Sequence, residues 1–105
     1  MKLLFYVTKK NMTKKEIRSI RVENFQSNNW NDIANQFIIT TSGAVLFQSS
    51  TSIIAIKWRC GKIELWTDWN YSMTTGKYRN KFLWEPKKET QENIDSWLYK
   101  INLKL

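Results

Sequence analysis

Few residues of this 105-residue chain could carry covalent or metal chemistry, and they lie close together. Glu64 and Asp68 are four apart, with Lys57 and Lys62 nearby. Carboxylates at such spacing could hold a magnesium ion for phosphodiester hydrolysis, with a lysine steering the anionic substrate. Acids beside lysines on a strand are far more often solvated partners, so this pair is a weak signal. Cys60 follows Arg59, whose charge would favour a thiolate, but no base is placed to use it. The chain has no histidine, which removes the commonest general base, the commonest zinc ligand and every histidine-dependent triad. Three glycines, none at phosphate-loop spacing, speak against nucleotide hydrolysis. The sequence is read as non-enzymatic and without a cofactor or metal.

Binding has more support. The net charge is +8 and uneven: residues 1–23 hold seven Lys/Arg against two acids, and residues 57–83 hold six against two. Between them, residues 24–56 hold one acid and no base. Two basic blocks favour a polyanion or an acidic protein surface, although a solubility charge on a lysine-rich chain explains them equally well. In the second block and just past its end, Trp58, Trp66, Trp69, Tyr71 and Trp84 are interleaved with Lys57, Arg59, Lys62, Lys77, Arg79 and Lys81. Aromatic rings can stack on unpaired bases while lysine and arginine neutralise phosphates. The same residue types dominate protein hot spots. The expected contacts are Lys57, Arg59, Lys77, Arg79 and Lys81 for anions, with Trp58, Trp69 and Tyr71 for stacking. Lys14, Arg18 and Arg21 would add a second basic stripe. No sequence-specific DNA-reading motif is present.

The elements that must position these groups are short. Leu3–Thr8 is β-prone. Thr13 and Glu16 form a capping pair, with Met12 and Ile17 as its staple. A helix over about 14–22 would align Lys14, Arg18 and Arg21, against a competing strand through Ile20 and Val22. Residues 24–35 read as a polar loop containing Trp30. Phe37–Thr41 and Ala44–Gln48 flank a Ser42-Gly43 turn, and Ile53–Trp58 and Lys62–Trp66 flank one containing Gly61. Ile54, Ile56, Ile63 and Leu65 alternate with Ala55, Lys57, Lys62 and Glu64, predicting one covered face and one wetter face.

Ser72 or Thr74 caps a helix to about Leu83, with Tyr78 and Phe82 inward and Lys77 and Lys81 as an outer stripe. The hydroxyls there satisfy free backbone N–H groups. The same helix N-terminus, near Lys77 and Arg79, could instead receive a phosphate. Pro86 ends that helix and starts another over about 87–97. Alternation through Tyr99, Ile101, Leu103 and Leu105 predicts a closing strand. The sum is one α+β domain over residues 1–105, a mostly antiparallel sheet of five to six strands with two or three short helices. Residues 1–35 supply its N-terminal strand, basic helix and loop. The N-terminal apolar run is too short for a secretory signal, and no segment is long and apolar enough to span a membrane, so the expected location is the cytoplasm.

The stretch from Trp69 to Leu83, Trp-Asn-Tyr-Ser-Met-Thr-Thr-Gly-Lys-Tyr-Arg-Asn-Lys-Phe-Leu, resembles a family of small uncharacterised proteins. These are carried by phages and other mobile elements of low-GC Gram-positive bacteria. Phe47-Gln48-Ser49, Ile53-Ile54-Ala55 and Glu89-Thr90 extend the resemblance over about residues 36–103. Asn70 stands where that family usually has Asp. The resemblance implies a mobile-element protein in the bacterial host cell. The basic and aromatic residues favour nucleic acid or a nucleoprotein complex as its partner, and the setting offers, alternatively, a host defence nuclease bound stoichiometrically, as anti-CRISPR proteins do.

Overall fold

The computed structural model describes residues 19–103. Six strands form one sheet in sequence order: β1 (Arg21–Gln26), β2 (Asp32–Thr40), β3 (Ala44–Ser49), β4 (Ser52–Trp58), β5 (Ile63–Trp66) and β6 (Lys100–Asn102). The first five are antiparallel neighbours, and β6 returns parallel to β5. A parallel return needs a long crossover. Two helices supply it, α1 (Met73–Leu83) and α2 (Lys87–Asp95). The expected α+β class and mostly antiparallel sheet are therefore observed. The expected strand Leu3–Thr8, the Thr13–Glu16 cap and the contacts Lys14 and Arg18 lie outside the described residues.

The hairpin turns follow their chemistry. Thr41 Oγ1 accepts from the N–H groups of Gly43 and Ala44, closing the Ser42-Gly43 turn. Gly61 has φ 97°, a region that side chains resist. The last residues of the expected helix over 14–22 are strand instead: β1 takes Val22, as the competing reading had it, but begins after Ile20. Arg21 pairs with Thr40 and Val22 with Ile39, so ladder bonds and a β-branched side chain decide these two positions, while residues 14–18 of that expectation lie outside the described residues. The polar loop over 24–35 is also shorter than expected. β1 and β2 absorb most of it and leave a turn at 27–31, where Ser27 Oγ accepts from the N–H groups of Asn29 and Asn31.

One register change reshapes the core. Phe47 faces Ala55, but Gln48 faces Ile53, so Ile54 is an extra residue in β4. Ile54 and Ala55 consequently both join the cluster under the helices, with Phe47, Leu65, Tyr78, Phe82 and Tyr99. Ile56 falls on the opposite face with Ile39, Ala44 and Leu46. The expected alternation, with Ile54 and Ile56 on one covered face, is thus corrected. Ile54, Ala55 and Ile56 are all buried, and β4 is covered on both faces.

Helix α1 lies along β3 and β4. At one end Thr75 Oγ1 is 3.1 Å from Ser49 Oγ; at the other the Phe82 carbonyl accepts from Lys57 Nζ at 2.9 Å. The closing strand is shorter than its alternation predicts. Tyr99 is buried, yet Leu103 is 77% exposed beyond the end of β6.

Candidate functional site

The outer flank of α1 carries a groove in which several expected contacts meet. Ser72 is the N-cap. Its Oγ accepts from the Thr75 N–H at 3.1 Å and donates to Thr75 Oγ1 at 3.0 Å. Gly76 N–H donates to the Ser72 carbonyl at 2.9 Å. These hydroxyls therefore do structural work, joining the helix start to Ser49 on β3.

From this start a groove runs along α1, past Met73, Gly76, Lys77 and Asn80, to Lys87 at the start of α2. Asn70 and the buried Arg79 also line it. None of the described residues lining it is acidic. Lys77 and Lys81 both stay exposed and lie 5.5 and 5.3 Å from the Tyr78 ring centroid, so their charges share one patch.

Arg79 is the unusual member. It was expected at the surface and is 1% exposed. Its Nη1 donates to the Trp69 carbonyl at 2.8 Å and to Asn70 Oδ1 at 3.2 Å, while Nη2 donates to Asn80 Oδ1 at 2.7 Å. Nε is buried without a hydrogen-bond partner among the described residues. Burial lowers the guanidinium pKa from its ordinary value, and Glu85 opposes that shift. No described carboxylate comes within ion-pair distance, so its charge reaches the groove without a contact counter-ion. A Cβ built on Gly76 would sit 3.7 Å from both Nη atoms, which places the guanidinium directly beneath the helix at this point.

The other expected contacts are dispersed. Lys57 is half-buried, lies 4.2 Å from the Phe82 ring centroid, and caps the carbonyl end of α1. Burial lowers its pKa. Trp58 lies on the face away from the helices, and its indole N–H donates to Glu64. Trp69 is half-buried against the core with Arg79 over its ring at 5.0 Å. Tyr71 is 53% exposed and its hydroxyl is 3.3 Å from Ser49 Oγ. Arg59 is exposed in the turn after β4, and Arg21 sits on the sheet edge paired with Glu23 at 2.8 Å. The weak acidic pair is also separated in role, because Glu64 accepts from both Trp58 and Asn102.

Two exposed groups were not among the expected contacts, although Trp84 was counted with the interleaved aromatics. Lys87 closes the groove, and Trp84 is 91% exposed at the C-cap of α1. Pro86 was the available signal. By ending α1, it puts residue 84 beyond the helix's buried face.

No helix among the described residues is long and apolar enough to cross a membrane. A search of curated proteins and a search of solved structures each returned no match. A family match covers residues 8–97, which takes in β1 to β5, both helices and the whole groove. On that match, the chain belongs to DUF8033, a family of unknown function.

Proposed function

We propose that this protein is a non-enzymatic accessory protein that binds nucleic acid, or a complex that processes it, through the basic flank of α1. The observation that carries this reading is the groove itself: Lys77, Lys87 and the buried Arg79 line it, with no acidic residue among those described in its lining. A phosphodiester backbone supplies the missing negative charge at regular spacing, and releasing its counterions drives association. Asn70, Ser72 and Asn80 add neutral polar groups suited to phosphate oxygens. The resemblance of the Trp69–Leu83 stretch supports a phage or mobile-element setting inside a bacterial host cell.

The test is affinity for labelled oligonucleotides as a function of salt. Log affinity should fall linearly with log salt, by about 0.7 to 0.9 per phosphate neutralised. Lys77→Ala and Lys87→Ala should each reduce that slope by about one. A flat salt dependence would sink the reading.

A second reading has its own observation. Trp30, Trp84, Trp97 and Met73 are between 81% and 93% exposed, and such residues anchor protein interfaces. On this reading the protein is a stoichiometric inhibitor of a host defence nuclease, in the manner of anti-CRISPR proteins. A partner protein retained after nuclease treatment of a host lysate would favour it over the first.

A further inference from the structure

Trp84 sits where neither its backbone nor its side chain is comfortable. It caps α1 with φ 58° and ψ 38°, and its N–H donates to the Asn80 carbonyl. That left-handed position favours glycine or asparagine, because a Cβ crowds the adjoining carbonyl. Here it holds the largest side chain available, 91% exposed. Neither local conformation nor core packing accounts for a tryptophan at this point.

The charges close to it in sequence indicate what kind of partner the ring would meet. Lys81 lies in the last turn of α1, and Lys87 and Lys88 open α2; all three are exposed. Cations at a helix start oppose its dipole, so Lys87 and Lys88 do not serve the stability of α2. The nearest acids only partly offset them. Glu85 turns inward, accepting from Thr90 Oγ1 and Tyr99 OH at 2.6 Å each, which leaves Glu89 exposed in the first turn. Three ammonium groups thus flank one bare indole in a stretch of eight residues.

We propose that Trp84 is a stacking platform for an unpaired base, with the flanking phosphates held by Lys81, Lys87 and Lys88, so that the ligand is single-stranded nucleic acid. A duplex keeps its bases stacked on one another and offers the indole nothing, whereas a single strand offers a π-face at every nucleotide. This deepens the nucleic-acid reading above and rests on it.

The decisive variant is Trp84→Gly, which relieves the left-handed cap and so should fold at least as stably as the parent. Anisotropy with a labelled oligodeoxythymidine and with the matching duplex reads the outcome. The parent should prefer the single strand by about tenfold or more, and Trp84→Gly should lose about that factor. Its salt slope should not change, because no cation has been removed. Trp84→Phe should recover part of the loss.

Equal affinity for strand and duplex, with Trp84→Gly unchanged, would overturn the stacking role and leave the basic groove standing. Binding of neither polymer would overturn the groove reading and this one together. Loss of a protein partner in Trp84→Gly, with no nucleic acid bound, would reassign the indole to a protein interface.

Discussion

Arg79 and Trp69 hold each other twice: the guanidinium lies over the indole, 5.0 Å from its centroid, and also donates to the Trp69 carbonyl at 2.8 Å. One side chain thereby fixes both the ring and the backbone of the loop leading into α1. Replacing Arg79 with Met would leave the Trp69 carbonyl and the oxygens of Asn70 and Asn80 without their donor. Losing such a network is expected to cost about 2–4 kcal/mol. Arg79→Lys should recover little, since an ammonium cannot span three acceptors as the planar fork does. Urea unfolding of the two variants checks this, and a Lys variant as stable as the parent would refute the clamp.

Gly76 predicts an effect of the opposite sign. A Cβ there would make ordinary contact with Arg79 and Asn70, at 3.7 to 3.8 Å. Glycine inside a helix sacrifices about 0.5–1 kcal/mol relative to alanine. Gly76→Ala should therefore raise stability by about that amount, read as a higher urea midpoint at unchanged slope. A lower midpoint would mean that the helix must approach the guanidinium more closely than these distances imply.

Ser72 should be the costliest hydroxyl to remove from the start of α1. It accepts from the Thr75 N–H and donates to Thr75 Oγ1, which in turn reaches Ser49. Ser72→Ala should lower stability by about 1 kcal/mol, the usual cost of a lost N-cap. Thr74→Ala, at an exposed position off this chain of hydroxyls, should be close to neutral. Thermal melts of the pair separate capping from general polarity.

What the sequence made legible was local chemistry. The Ser42-Gly43 and Gly61 turns, the Ser72 cap and the Pro86 break all depend on residues within a few positions of one another. The burial of Arg79 was also within reach. Thr75, Tyr78, Arg79, Phe82 and Leu83 form one helical stripe, and that phase outranks the usual preference of arginine for water. The bulge at Ile54 was not legible, because register is set by the partner strand rather than by β4 alone. The groove needed tertiary contact as well: Lys87 reaches it only because α2 begins beside the flank of α1.

Trp97 offers a control for the conformational argument about Trp84. It has φ 65° and is 91% exposed just after α2. Trp97→Gly relieves the left-handed strain while giving up little packing, so it should stabilise the fold by about 0.5–1 kcal/mol. Oligonucleotide affinity should stay at the parental value, since Trp97 lies outside the lysine-bearing stretch from Lys81 to Lys88. A matching loss of affinity in both variants would mean that the two indoles act together.

The alkaline limb of the stability curve should carry two opposed signatures. Burial, followed by the hydrogen bond to Glu85, raises the Tyr99 pKa well above its ordinary 10.0. From about pH 10 upward the unfolded chain loses this proton while the folded chain keeps it. Unfolding then releases a proton, and stability falls as pH rises. Lys57 works the other way. Burial lowers its pKa below the ordinary 10.5, so in the window beneath that value the unfolded chain binds more protons, and stability rises with pH. The expected curve climbs toward about pH 10 and then declines. Tyr99→Phe should flatten the decline while costing about 1.5–3 kcal/mol below pH 10, the worth of a hydrogen bond to a charged group. Lys57→Met should flatten the climb. Urea midpoints across the alkaline range for the parent and both variants read all of this. An undiminished decline in Tyr99→Phe would show that another group sets the alkaline limit.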